Sequence, residues 1–282
     1  MYSKRGILGV KQQASNSVTS ALPWVGGKAS TKPWGKWVAS HIPYANGYCE
    51  PFAGMLGVLL QREPSRHEIV NDLDGDVYAF WHSVRETPDE LEALLANTPF
   101  SEQLFKECVN ADSTDWSDLR KAWRLVILVT CSFGASRQYF LRRTLDNASA
   151  RTPWDVSQTI PQLADRLKKV HIYQMDALEL LKRLAKYERY VIYADPPYPT
   201  AQAKNLYKHW DIDAESMLDV FNECKCKVAI SGYPGDPWDE LGWRHEDLER
   251  HIQLGAKSRK TERLWMNYDP IDTSPDGTLQ LA

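Results

Sequence analysis

The chain has 282 residues, 43% hydrophobic and 25% charged, with a formal net charge of −3. That length suits one large α/β domain or a domain carrying a sizeable insertion, and its apolar content builds a core without disulfide or metal staples. No run approaches the roughly 20 apolar residues of a membrane span, and the N-terminus carries no apolar signal region, so a cytoplasmic protein is expected. Five scattered cysteines suit a reducing compartment. Cys224 and Cys226 form a C-x-C pair with no second Cys or His pair nearby, so alternation along a buried strand is expected there rather than a metal site.

Residues 1–20 are polar and read as a flexible arm. Gly47 to Phe52 reads as a strand entering a glycine-containing turn, with a helical stretch from Gly57. His67 to Val70 is a strand ending in Asn71-Asp72, and helical periodicity runs from Val77 to Val84. Thr87-Pro88-Asp89-Glu90 is a helix start with capping-box spacing. More helix is expected around 102–110 and 117–131, then an irregular stretch over roughly 132–158. Val170 to Tyr173 and Tyr190 to Ala194 read as strands flanking a helix from Ala177 to Tyr187. A helix near 214–223 and strands at Val228 to Ile230 and Leu264 to Tyr268 complete the alternation. Such alternation indicates a mostly parallel sheet covered on both faces. The expected domains are 21–75 with 166–270 as the sheet domain, 76–165 as a mostly helical insertion, and 271–282 as a loose tail.

Three motifs carry chemistry. Asp195-Pro196-Pro197-Tyr198 follows an apolar strand directly, where α/β sheets bind ligands. Its prolines remove backbone donors and stiffen the turn, so a carboxylate, carbonyls and a ring are offered to a planar base with an exocyclic amine. Glu50-Pro51-Phe52-Ala53-Gly54-Met55-Leu56-Gly57 has glycines that let a ligand approach the backbone. Asp72, at the end of the next strand, stands where an acid holds ribose hydroxyls. Pro23-Trp24-Val25-Gly26-Gly27-Lys28 could bring a cation to a ligand carboxylate. Taken singly, these also read as a proline turn, a surface acid and a capped helix with a buried Trp.

In this order, P-W-x-G-G-K, E-P-F-x-G-x-x-G, N-D-x-D and D-P-P-Y resemble the Dam-type (D12 class) DNA adenine-N6 methyltransferases over about 22–75 and 168–268. The resemblance implies a Rossmann-like S-adenosylmethionine-dependent methyltransferase sheet, base flipping, double-stranded DNA as partner and no metal. It implies that Trp24, Lys28, Phe52, Gly54, Gly57, Asp72 and Asp176 hold the cofactor, with Asp195 between cofactor and target amine. Pro196, Pro197 and Tyr198 complete the adenine pocket, and Leu264, Trp265 and Asn267 fall in a late strand near it. The origin expected from the family is prokaryotic, phage or mobile-element.

The insertion is expected to recognise DNA. From Arg120 to Arg151 it carries seven Lys or Arg against one acid, Asp146. Arg137, Gln138, Arg142 and Arg143 are the candidate DNA contacts, with Arg137 the base reader and the other two arginines phosphate contacts. GATC-specific relatives carry an N-G-x-x-R, F-N-x-P-x-G pattern that is missing here, where the chain reads Ser132-Phe133-Gly134-Ala135-Ser136-Arg137. The GATC target is therefore not carried over. An RNA or other amino-group methyltransferase of the same fold remains open, although protein-amide types favour Asn at the position of Asp195 and RNA types usually lack the opening motif. A catalytically inactive DNA-binding homologue remains open too, although every named motif residue is intact.

Overall fold

A computed structural model describes residues 20–24, 34–142, 151–197, 212–251 and 259–269. Among the described residues seven strands form one sheet: β1 (Gly47–Glu50), β2 (His67–Asn71), β3 (Val170–Tyr173), β4 (Tyr190–Ala194), β5 (Lys227–Gly232), β6 (Arg244–His251) and β7 (Arg259–Met266). Their order is β3-β2-β1-β4-β5-β7-β6. The first five are parallel, and β7 runs antiparallel to both β5 and β6. This is the expected α/β, Rossmann-like sheet with an antiparallel edge.

Period-two alternation splits the strands between two cores. Tyr48, Val70, Val191, Tyr193, Ala229, Leu264 and Met266 enter one core, while Cys49, Ile69, Ile192, Ala194, Val228, Ile230 and Trp265 enter the other. Helix α1 (Trp34–His41) packs in the first core, as do α2 (Gly75–Glu86), α3 (Pro88–Ala96), α5 (Asp118–Thr130), α6 (Pro153–Ser157) and α7 (Ile160–Leu167). The second core is closed by α8 (Ala177–Leu184), α9 (Ala214–Asn222) and Trp238. Between β2 and β3, α4 (Glu102–Asn110) makes a small satellite core with the outer face of α5 through Phe105, Cys108, Ile127, Leu128 and Cys131. The expected insertion thus shares its main core with the sheet.

Several local expectations are corrected. After Gly57 there is a short 3-10 turn at Leu59–Gln61, where a longer helical stretch was expected. The capping box at Thr87 does not form, because the same residue ends α2. Its N–H donates to Ser83 O at 3.0 Å and its hydroxyl turns back to the same carbonyl. A box does form at Thr152, inside the stretch read as irregular. The Asp155 N–H donates to Thr152 Oγ1 at 3.2 Å, and the Thr152 N–H donates to Asp155 Oδ2 at 2.7 Å. Cys224 and Cys226 lie in the turn before β5, not along it. Strand β6 is a charged edge without apolar alternation. Cross-strand pairs hold it, with Arg263 Nε and Nη2 on Asp247 at 2.7 and 2.9 Å.

One buried ion pair fastens the helical layer to the sheet. Glu68 on β2 receives Arg166 Nη1 at 2.6 Å and Nη2 at 2.9 Å, and Arg166 also donates to Leu59 O at 3.2 Å. The Glu68 side chain is only 3% exposed, so it cannot fall back on water. Arg166→Ala is expected to lower unfolding free energy by about 3–5 kcal/mol in a urea titration, because a buried carboxylate loses its partner. A loss below about 1 kcal/mol would mean that the pair behaves like a solvated surface bridge.

Candidate active site

The sheet order reverses between β1 and β4, so the connections leaving their C-terminal ends part and open a crevice. Three loops border it, those following β1, β2 and β4, with the loop after β3 alongside. Asn71, 1% exposed, ties three of these loops together. Its Nδ2 donates to Pro51 O at 2.9 Å and Met175 O at 3.0 Å, while its Oδ1 accepts the Met175 N–H at 3.0 Å. Its own carbonyl accepts the Ala53 N–H at 2.8 Å.

The loop after β1 turns back on itself through left-handed backbone at Gly54 (φ +46°) and Leu56 (φ +54°). A left-handed leucine is unusual, and such residues gather where a ligand is clamped. Gly57, expected to provide this freedom, does not adopt a positive φ. At Gly54 a Cβ would lie 3.3 Å from Trp24 Nε1, so glycine there serves close packing as well as conformation. The Gly54 N–H donates to Asp72 Oδ2 at 2.9 Å, and Trp81 Nε1 donates to Gly54 O at 2.7 Å. Asp72 Oδ1 accepts the Asp74 N–H at 2.9 Å. Burial pushes the Asp72 carboxyl up to about 6 against the pull of the Asp74 and Gly54 N–H groups. Each carboxylate oxygen can accept a second hydrogen bond, so the half-buried Asp72 can still receive two hydroxyl donors. Phe52 is half-buried against the second core, and Asp176 is the exposed N-cap of α8, accepting the Glu179 N–H at 3.0 Å.

Asp195 follows β4 directly and is half-buried, with Pro196 buried behind it. Its charge helps to raise the pKa of Glu50 and of Tyr193, which brings the ends of β1 and β4 into one electrostatic unit. Trp24 lies beside Gly54. Lys28, Tyr198 and Arg143 lie outside the described residues, as do Gly26, Gly27, residues 1–19 of the arm and the whole tail.

The candidate DNA contacts divide. Residues 131–141 fold back on themselves, with the Phe133 N–H donating to Tyr139 O and the Leu141 N–H to Cys131 O, both at 2.8 Å. Gln138 and Arg142 are exposed, and Phe133 and Tyr139 stand out at 66% and 71% exposure. Arg137 does not share that exposure. Its guanidinium pairs with Asp74 Oδ2 at 3.1 Å and lies 4.7 Å above the Trp24 ring. Arg124 likewise turns inward to Asp76 at 3.2 Å, and Arg151 donates to Ser20 O and Ala21 O at 3.0 Å. Three of the seven basic residues in the stretch thus bind acids or carbonyls inside the fold.

Sequence reasoning gave no role to Asn71, Asp74, Trp81 or Glu50. Asn71 and Asp74 had a signal in the N-D-x-D run, and Glu50 in being a charge at the end of a buried strand. Trp81, on a helix 27 residues from its partner, had none.

The described residues include no group of three or more His, Cys, Asp or Glu able to hold a metal ion, and no helix long and apolar enough to cross a membrane. Glu50, 2% exposed, receives the Tyr48 hydroxyl at 2.7 Å. Burial lifts its carboxyl from the ordinary 4.5 to about 7. With a folded pKa above the unfolded one, the stabilising contribution is full below about 4.5 and is lost as pH rises through about 7. Going from about pH 6 to about pH 8 should therefore lower the melting temperature of the wild type more than that of Glu50→Gln, which cannot ionise. Equal slopes for the two proteins would contradict a buried, proton-holding Glu50.

A search of curated proteins gives no match. The family model for the D12 class N6 adenine-specific DNA methyltransferases matches residues 24–231, well over half the chain. The match takes in the glycine turn beside Asp72, the inward-facing Arg137 and the Asp195 turn at the reversal of the sheet. The chain belongs to the D12 class of N6 adenine-specific DNA methyltransferases.

Proposed function

We propose that this DNA adenine-N6 methyltransferase takes its methyl group from S-adenosylmethionine in the crevice between β1 and β4 and presents a flipped adenine to Asp195. One observation carries the reading: Asp195 directly follows β4 beside the crevice that the Gly54 turn and Asp72 border from the other side. The donor set suits such a cofactor. Asp72 keeps acceptor capacity for two ribose hydroxyls, Gly54 has no side chain and so lets Trp24 pack closely on the turn, and Trp24 supplies an aromatic wall. Phe52 and Asp176 lie at its borders, and Lys28 and Gly57 are assigned to it by the motif alone. When bound, S-adenosylmethionine supplies an activated methyl group on a sulfonium.

The residues of the chain then have to make a poor nucleophile competent. The adenine N6 lone pair is delocalised into the ring. Asp195 and the Pro196 carbonyl can accept the two N6 hydrogens, which favours a pyramidal nitrogen with its lone pair free for in-line attack. Asp195 is also the acceptor for the proton that N6 must lose. Pro197 keeps the turn stiff, and Tyr198 is assigned to stack on the base. Extracting the adenine from a duplex costs roughly a few kcal/mol of unstacking and unpairing. Recognition of double-stranded DNA is assigned to the 76–165 segment, and there chiefly to the loop that exposes Phe133, Gln138, Tyr139 and Arg142, with Arg143 beyond it. A reducing cytoplasm suits five free cysteines.

Two substitutions separate the roles. Asp195→Ala should lower kcat on DNA by about 10²–10³-fold or more while leaving cofactor binding and cooperative unfolding in place. Asp72→Ala should weaken S-adenosylmethionine binding by about 1–3 kcal/mol in calorimetry, as removal of a charge-assisted acceptor does. Near-normal turnover in the first variant, or unchanged affinity in the second, would remove those residues from the site.

A further inference from the structure

Arg137 belongs by sequence to the exposed loop and by contact to the cofactor crevice. Its backbone is left-handed (φ +62°), as are Gly134 (φ +60°) and Ala135 (φ +56°) just before it. Its N–H donates to Ser132 Oγ at 3.1 Å. This unfavourable conformation turns the side chain away from the tip carrying Phe133 and Tyr139 and leaves it only 16% exposed. Two routes then run from the guanidinium to the glycine turn. In the first, Arg137 Nη1 donates to Asp74 Oδ2, the Asp74 N–H donates to Asp72 Oδ1, and Asp72 Oδ2 accepts the Gly54 N–H. In the second, the guanidinium covers the Trp24 ring, whose Nε1 edge faces Gly54. Asp74 is fixed independently, since its Oδ1 caps α2 by accepting the Asp76 N–H at 3.0 Å.

We infer that Arg137 is a positioning residue that couples the DNA-recognition loop to the S-adenosylmethionine crevice, an inference that rests on the proposed function. An arginine that reads a base edge must reach into the groove with its fork free. This one is held between a carboxylate and an indole. It also neutralises Asp74 next to Asp72, so the crevice acid can keep its charge beside a second one. By linkage, a cofactor that orders the crevice also orders the loop, and DNA that fixes the loop raises cofactor affinity by the same factor.

The test is calorimetry with S-adenosylmethionine on DNA-free wild type, Arg137→Ala, Arg137→Lys, Asp74→Asn and the Arg137→Ala/Asp74→Asn double variant. Asparagine keeps the capping acceptor and removes the charge. Each single loss of the pair should raise the Kd about tenfold, the double variant should be no weaker than either, and lysine should recover part of the loss. The KM for S-adenosylmethionine should rise with Kd more than kcat falls, and site preference on a random DNA pool should be kept. Unchanged Kd with altered site preference in Arg137→Ala would make it a base reader and overturn the inference. Additive losses in the double variant would overturn the Asp74 route. If Arg137→Ala fails to unfold cooperatively, unchanged Kd in both Arg137→Lys and Asp74→Asn would count against it. A wild type that binds no S-adenosylmethionine would overturn the proposed function, and this inference with it.

Discussion

The Asn71 side chain is the bond on which the site's geometry hangs. Parallel strands end together, but the loops that leave them have no ladder to hold them together, and each brings backbone groups that need partners. One planar amide supplies two donors and an acceptor in fixed directions, and Asn71 uses them on the loops after β1 and β3 while sitting at the end of β2. An aspartate of the same shape would lose both donors and add a charge in a position 1% exposed. The glycine turn, Asp72 and the start of α8 hold their spacing because this amide holds the backbone on which they stand.

Around that staple the chain concentrates negative charge. Asp72, Asp74 and Asp76 fall within five residues at the mouth of the crevice, a cluster that would repel itself if left alone. The helical segment answers it with Arg137 on Asp74 and Arg124 on Asp76, each pair poorly exposed. Such pairs need not add net stability, because desolvation offsets much of the attraction. What they provide is register: one arginine on α5 and one on the loop that follows it must each meet one acid, and this fixes how the loop and α5 sit against the start of α2.

The motifs were legible because they demand special chemistry at fixed spacing. A carboxylate followed by two prolines after an apolar strand, and glycines before an acid at a strand end, both lie where the sequence suggested. Strands β1 to β5, each with apolar residues between turn signals, were legible for the same reason, as was the end of β7, read from Leu264 to Tyr268 and found at Arg259–Met266. Strand β6 was not, since an edge held by Arg263 and Asp247 needs no hydrophobic alternation. The roles of Arg124 and Arg137 were hidden too. Charge along a sequence reads as a basic face until the fold shows which acids, 48 and 63 residues away, lie opposite. Thr87 and Thr152 make the same point locally. Both have the spacing of a helix start, but one of them also terminates the preceding helix, and its hydroxyl is spent there.

The shared core has an evolutionary consequence. Helices α2, α5 and α7, which lie between β2 and β3, roof one face of the sheet, burying Phe80, Trp81, Val126 and Leu163 beside sheet residues such as Tyr48 and Val191. A segment used in this way cannot be exchanged as a cassette, because lifting it out would leave that side of the sheet covered chiefly by α1 and the loop after β1. The turn that exposes Phe133 and Tyr139 projects from that roof, and it stays tied to it through Arg137 on Asp74 and through Ala135 against the first core. The architecture thus separates a buried ceiling from an exposed fingertip.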